Sequence, residues 1–335
     1  MLQVHILPLL IRKGVFFVRQ ASAGGSFAAT TRKRSVGYYL KRDWQLWVMI
    51  LPAIVYILIF CYGPMYGLQL AFRDYDFSKG FTGGRWSGMK YFMQYFTSPM
   101  FWPTLRNTFL IAFFSLVCGF PVPILLALVI NSIHSKSGKR AVQTAVYMPY
   151  FISTVVMVAI LQIMLSPTTG MLSNLLKAMH LVPQAANLMG DASSFIPVYV
   201  ISGIWQGAGW NSIIFIAALA AVDSQLYDAA KVDGANRWQQ VWHVELPAIL
   251  PTIIILLILN MGNILSVGFE KTFLMQNALN KSVSEVIATY VFNVGIKSSQ
   301  FSFGTAVGLF NTLVNFVFLV VANQISRRVA DISLV

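Results

Sequence analysis

Residues 224–247 read SQLYDAAKVDGANRWQQVWHVELP, a polar island of about two dozen residues between two strongly apolar runs. Asp223 or Ser224 is placed to N-cap a short helix, with Asp228 expected in its first turn, where the helix dipole favours negative charge. Gly234 predicts the end of that helix. Asn236, followed three residues later by Gln239, is a capping-box pattern for a second helix. In it Trp238, Val241 and Trp242 fall at helical spacing on one face, and Pro247 is expected to close it. Between the two helices, Ala229, Ala230, Gly234 and Ala235 are so small that another protein could approach the backbone closely, while Asp228, Lys231 and Asp233 set charge around them. The stretch reads as a docking knob.

Composition explains what the knob is mounted on. The chain has 335 residues, of which 57% are hydrophobic and only 10% charged, with a mean hydropathy of +0.67. That is too apolar and charge-poor for a water-soluble domain and describes an integral membrane protein. A net charge of +13 could suggest nucleic acid, but the cations sit mostly at the ends of apolar runs, where lipid headgroups and topology account for them. No nucleic-acid partner is expected. Cys61 and Cys118 both lie inside apolar runs, so they read as small packing residues rather than as a disulfide or metal framework.

Six apolar runs approach the roughly twenty residues needed to cross a bilayer core: Trp44–Phe72, Leu105–Asn131, Val142–Leu165, Phe195–Ala221, Ala248–Phe269 and Phe301–Ile325. None contains an acid. Pro52, Pro64, Pro121, Pro123 and Pro149, and Gly203, Gly207 and Gly209, are expected to kink or loosen these helices. The expected fold is therefore all-α, a polytopic membrane protein with six transmembrane helices. Residues 1–43 form a basic N-terminal tail, 44–325 the six-helix transmembrane domain carrying the loop 224–247, and 326–335 a short C-terminal tail. The apolar opening MLQVHILPLL lacks a preceding basic region and is cut at Arg12-Lys13, which argues against a cleaved signal peptide. It reads as a surface-lying helix or an overcalled start, and Ala21 to Thr31 as a flexible linker. The loop Arg73 to Pro103 is long and aromatic, as in an interfacial aromatic belt or a contact for a partner protein. Ser166 to Ser194 and Glu270 to Gln300 are two further loops on the same side.

The spacing within the island resembles a known family pattern. Asp228-Ala229-Ala230, Asp233-Gly234-Ala235, nine residues from Ala235 to His243, and Val244-Glu245-Leu246-Pro247 are similar to the EAA loop of the membrane subunits of binding-protein-dependent ABC importers. Asp228 replaces the family's Glu and Val244 its Ile, which keep charge sign and shape. RDYDFSKG (73–80), WSGMKYF (86–92) and the first span from Asp43 to Phe72 also resemble the carbohydrate-importer permeases of the maltose type, the branch handling complex oligosaccharides. The resemblance implies contact with ATPases through Asp228, Ala229, Ala230, Asp233, Gly234, Ala235, Leu246 and Pro247. It implies as partners two ATPase subunits, a second and related permease subunit, an extracytoplasmic solute-binding protein and membrane lipid, at the cytoplasmic (inner) membrane of a bacterium. A cytoplasmic ATPase contact puts this loop and both termini inside. The positive-inside rule agrees, because fifteen of the 24 lysines and arginines then fall on the inner side.

No catalytic constellation is legible. His5, His134, His180 and His243 are scattered without ligand spacing, so no metal site is expected. The nearest approach to a P-loop, Ser137-Gly138-Lys139-Arg140, lacks the first glycine and the hydroxyl. The chain is expected to be no enzyme and to bind no cofactor itself, with ATP and Mg on partner ATPase subunits. The spans carry uncharged amides instead of the ionisable groups common in ion-coupled transporters. Gln162, Asn211, Asn260, Asn263, Asn311 and Asn315 are candidates for a path taken by hydroxyl-rich neutral solutes, although membrane helices use the same amides as interhelical glue, worth about 0.6–2 kcal/mol each. The reading is a permease subunit of an ATP-driven importer of an oligosaccharide or related carbohydrate. The alternative is an ATP-independent secondary transporter or channel for a small polar solute.

Overall fold

A computed structural model describes residues 42–80 and 84–330, which divide into two units at the boundary between residues 69 and 70. The tail cations before Arg42, the linker Ala21 to Thr31 and the last five residues lie outside the described residues. Among the described residues there is no strand, only two isolated bridges, Arg73 with Trp86 and Asp76 with Gly80. In the first unit α1 (Trp44–Ile57) passes through Pro52 without a break and continues as a π turn, Leu58–Tyr62; neither buries a residue. A helix apolar all round and unburied by its own unit is suited to lipid or to another chain.

The second unit contains α2 (Lys90–Phe96), α3 (Phe101–Gly119), α4 (Pro121–Asn131), α5 (Lys136–Tyr147), α6 (Thr154–Met164), α7 (Met171–Ala178), α8 (Ala192–Ala220), α9 (Ser224–Val232), α10 (Arg237–Gln240), α11 (Leu246–Met261), α12 (Phe269–Met275), α13 (Lys281–Ser284), α14 (Ile287–Tyr290) and α15 (Phe301–Ala330). Four helical stretches are long and apolar enough to cross a membrane, namely Trp44–Phe72, Phe101–Asn131, Arg237–Met261 and Phe301–Arg327. Two bent pairs, Lys136–Phe151 with Thr154–Met164 at 94° and Ala192–Ala220 with Ser224–Val232 at 73°, bring the number to as many as six when each counts as one span.

The third expected run, Val142–Leu165, is not one helix. Pro149 falls in a 3-10 turn, Met148–Phe151, and Ser153 restarts the chain as the N-cap of α6, its Oγ accepting from the Val156 N–H at 3.4 Å. A carbonyl freed by the break, that of Ile152, is taken by the Gln206 side chain of α8 at 2.8 Å. The side-chain amide thus replaces a lost backbone partner where water is scarce. The glycines of the fourth run do not loosen it, for α8 is continuous over 29 residues. Gly209 serves close packing instead: a Cβ there would stand 1.9 Å from the Val146 carbonyl oxygen.

α8 is the central rod, packed on α3, α4, α5 and α11. Near its start Phe195, Tyr199 and Val200 join Ile111, Val158, Met275 and Val286 in one core. Near its end Phe215 and Leu219 join Ala127, Leu128, Val241 and Ile249 in a second. The second core sits at the root of the 224–247 hairpin, and the first lies a helix length away beneath the loop helices α12 to α14. The frame is therefore held at both ends, with the cavity described below between them.

Candidate functional site: a capped hairpin and an amide-lined cavity

The hairpin is built by local capping. Asp223 caps α9, its Oδ1 accepting from the Gln225 N–H at 2.9 Å. α9 starts at Ser224, so Asp228 stands past the first turn where it was expected, exposed and paired with Lys231 at 3.3 Å. At the other end the Ala235 N–H donates to the Ala230 carbonyl at 2.8 Å and the Gly234 N–H to that of Lys231 at 3.0 Å. These are the two bonds of a Schellman motif, with Gly234 at φ +76° in the left-handed position. The Ala230-to-Ala235 spacing is fixed by that geometry. The capping box follows, with Gln239 N–H donating to Asn236 Oδ1 at 2.9 Å and Asn236 N–H to Gln239 Oε1 at 2.7 Å.

Pro247 does not close the second helix. Its ring would collide with the carbonyl four residues back in an α-helix, but Val241–Glu245 forms a π turn, and the helix runs through it into α11. Arg237–Met261 is thus one apolar helix of 25 residues, about 37 Å long at 1.5 Å per residue. Val241 is in the core, while Trp238 and Trp242 are 75% and 64% exposed.

Ala229, Ala230, Asp233, Gly234 and Ala235 line a concave groove of about 420 Å³ on the hairpin. Its far wall adds Leu226, Gln239, His243 and Val244, which were not among the expected ATPase-contact residues. Asp228 stands beside it, and Leu246 packs at the hairpin's root against the second core with Pro247 next to it. The root also holds a group missed in the sequence. Glu245 is 0% exposed, and its Oε1 accepts from Arg237 Nη2 at 2.8 Å, Asn131 Nδ2 at 2.8 Å and the Tyr227 hydroxyl at 3.2 Å. Arg237 also donates to Ser132 Oγ from Nε at 3.0 Å and Nη2 at 2.8 Å. One carboxylate oxygen therefore joins α9, α10, the π turn and the end of α4. An acid abutting an apolar run, eight residues after an arginine, was the only signal in the sequence.

A second concavity, of about 410 Å³, lies between α3, α4, α8 and the end of α11. Asn211, Asn260 and Asn263 line it together with Ser115, Ser266 and Tyr199. Asn260 and Asn263 each donate one amide hydrogen to their own helix, to Leu256 O at 2.8 Å and Leu259 O at 3.2 Å. That leaves an amide oxygen and a second N–H on each for another partner. The other three amides stand apart from the cavity. Asn315 accepts from the Leu265 N–H at 2.8 Å and donates to Ser266 Oγ at 3.1 Å, covering the backbone where α11 ends. Gln162 reaches Leu274 O at 3.5 Å, and Asn311 is half-buried on α15. Among the described residues no cluster of three or more metal-ligating side chains occurs.

Comparison with known proteins identifies the family. The family described as the binding-protein-dependent transport system inner membrane component matches residues 119–331. Protein LplB of Bacillus subtilis (strain 168) is 42% identical over 289 residues, covering 86% of this chain and 90% of that protein. The polygalacturonan/rhamnogalacturonan transport system permease protein YteP of the same organism is 40% identical over 305 residues, 91% of this chain and 94% of that one. Among solved structures, a chain of a bacterial ABC transporter involved in the import of the acidic polysaccharide alginate superposes with a TM-score of 0.79 at 40% identity, over 88% of this chain and 99% of that chain. The same kind of transporter in complex with an alginate pentasaccharide-bound periplasmic protein gives 0.80 at 39% identity, over 90% and 100%. A groove on a capped hairpin, a helix running from it to an amide-lined cavity, and these matches have one conclusion: the chain belongs to the family of inner membrane components of binding-protein-dependent transport systems.

Proposed function

We propose that this chain is the permease subunit of an ATP-driven importer that carries an oligosaccharide across the cytoplasmic membrane of a bacterium. The observation that carries the proposal is the continuous helix Arg237–Met261, which has the hairpin at one end and Asn260 with Asn263 on the cavity at the other. In this reading an ATPase subunit seats in the groove formed by Ala229, Ala230, Asp233, Gly234 and Ala235, with Asp228 beside it. Leu246 and Pro247 hold the root. A second, related permease subunit completes the path and brings a second ATPase, and an extracytoplasmic binding protein delivers the sugar. Six spans place both termini inside. ATP and Mg are held by the ATPase chains, and this subunit binds no cofactor of its own.

The mechanism is then mechanical. ATP-bound ATPases must bind the outward-open form more tightly than the inward-open one, because a partner with equal affinity for both shifts nothing. Displacement of the hairpin is passed along α11 and, through Glu245 and Asn131, to α4, whose Pro123 also lines the cavity. Asn211, Asn260 and Asn263 supply neutral donors and acceptors for sugar hydroxyls. Co-purification tests the reading. The chain should bring down ATPase subunits and a related permease, and the complex's ATP hydrolysis should rise with binding protein plus oligosaccharide. A chain that purifies alone and moves solute without ATP would establish the secondary transporter instead.

A further inference from the structure

The cavity wall contains no charged side chain, yet a cation lies directly behind it. Lys271, in α12 just after the cavity-lining Gly268, is 9% exposed. Its Nζ donates to the Tyr199 carbonyl oxygen at 2.7 Å and stands 4.5 Å from the centre of the Tyr199 ring. A Cβ on Gly203 would come within 3.2 Å of the same nitrogen. Tyr199 and Gly203 are both wall residues, so the ammonium lies against the wall at a place where α8 has no side chain to cover it. Burial lowers its pKa from the ordinary 10.5 to about 8, which leaves it charged at neutral pH. Among the described residues it has no carboxylate partner.

An uncompensated buried ammonium is costly, and a neutral donor would serve the Tyr199 carbonyl as well. Lys177 is buried to a similar degree, but its Nζ satisfies the Pro167 carbonyl ten residues back in its own loop, at 2.7 Å, away from the cavity wall. Lys271 differs in place: its ammonium, with two N–H groups to spare, stands against the wall of a cavity lined with amides and hydroxyls. One cation among neutral hydrogen-bonding groups matches a hydroxyl-rich solute bearing single negative charges. A carboxylate fits this better than a phosphate monoester, which carries nearly two charges and three acceptor oxygens and is usually met by several donors. We propose that Lys271 is a specificity-determining residue that recognises a sugar carboxylate, so that the cavity takes uronic-acid-containing oligosaccharides in preference to neutral ones. The proposal rests on the carbohydrate-permease reading above.

The test is equilibrium binding of labelled trigalacturonate and of neutral galactotriose to the whole importer in nanodiscs, without binding protein, so that the binding protein's own selectivity does not enter. Wild type should bind trigalacturonate more tightly than galactotriose. Lys271→Met, which preserves length and apolar packing, should weaken trigalacturonate at least tenfold and galactotriose less than threefold, and Lys271→Arg should restore most of the preference. The same preparations are checked for assembled complex. Equal weakening of both sugars by Lys271→Met, no weakening of either, or a wild type that prefers galactotriose overturns the proposal and leaves the carbohydrate permease in place. A wild type that binds neither sugar overturns it too, and if its ATP hydrolysis also ignores binding protein loaded with either sugar, the carbohydrate-permease reading fails with it.

Discussion

Asn131 and Glu245 are 114 residues apart in the chain and joined by a 2.8 Å hydrogen bond at the root of the hairpin. The pair connects the end of the Phe101–Asn131 span to the π turn that leads into α11. With Arg237 and Tyr227 on the same oxygen, it makes the hairpin and two cavity-lining helices one mechanical unit. Breaking a buried ion pair by removing one partner typically costs about 3–5 kcal/mol. Glu245→Ala should therefore lower the unfolding temperature of the assembled complex by several degrees. Glu245→Gln, which keeps the shape and one acceptor, should cost less while lowering solute moved per ATP hydrolysed. Unchanged coupling in a stable Glu245→Gln complex would show that the carboxylate only holds the fold.

Gly234 separates backbone geometry from docking. Its φ of +76° favours glycine, but a Cβ there would meet nothing within 4 Å, so a side chain fits the free hairpin and projects beside the groove. Gly234→Asn should be tolerated by the hairpin, since Asn enters the left-handed region readily, whereas Gly234→Val should cost about 1–2 kcal/mol. If an ATPase seats in the groove, both variants, and Gly234→Trp above all, should lose co-purifying ATPase at normal membrane insertion. Full ATPase recovery with Gly234→Trp would place the contact elsewhere.

Local rules made the hairpin legible. Asp223, Gly234 and the Asn236–Gln239 box act through bonds that span at most five residues, and each cap was readable from residue type and spacing. What sequence reasoning missed depends on distant partners or on non-α geometry. Pro247 reads as a stop only if the preceding turn is α-helical, and the π turn at 241–245 removes that premise. Pro149 was visible as a kink, but the 94° break is sustained by Gln206, 54 residues on from the carbonyl it satisfies. The amides were readable as a class and not individually. Asn260 and Asn315 both sit in apolar helices, and only the fold shows that one lines the cavity while the other covers the end of α11. Lys271 stood in the sequence as one more loop cation.

Orientation is open to chemical labelling. Cys61 and Cys118 are unpaired and should be replaced first. A cysteine at exposed Ser78 should then react with an impermeant thiol reagent in intact cells, and one at exposed Gln239 only after permeabilisation. The reverse pattern would put the groove on the wrong side for a cytoplasmic ATPase.

The Lys271 ammonium should also be visible in stability. Its pKa is about 8 in the folded chain against an ordinary 10.5, so between those values the unfolded chain holds a proton that the native one has released, and stability rises with pH through that window. Below about 8 both states are charged and the net cost of the buried charge is present in full, on the order of 3 kcal/mol. Lys271→Met should accordingly raise the unfolding temperature of the complex at pH 7, and the gap from wild type should shrink by pH 10. A gap that widens with pH would refute the depressed pKa.

The two kinds of intramembrane amide should separate cleanly under substitution. Asn315 uses both ends of its side chain, on the Leu265 N–H and on Ser266 Oγ, so Asn315→Leu strands a buried backbone donor and should cost about 1–3 kcal/mol. The yield or thermal stability of the complex should fall, and sugar uptake should fall only in proportion to the complex recovered. Asn260 and Asn263 are bonded to their own helix carbonyls and face the cavity. Leucine at both positions removes the polar groups offered to a sugar; the Leu256 carbonyl keeps its helix bond, and Leu259, whose carbonyl loses the Asn263 donor, is an exposed residue. Asn260→Leu with Asn263→Leu should therefore leave assembly intact and cut uptake per assembled complex roughly tenfold or more, as expected when two hydrogen bonds of about 0.5–1.5 kcal/mol each are lost. Uptake per complex is the quantity that decides. If it is unchanged in the double variant, the solute takes another route; if it falls in Asn315→Leu by more than the loss of complex, α15 faces that route as well.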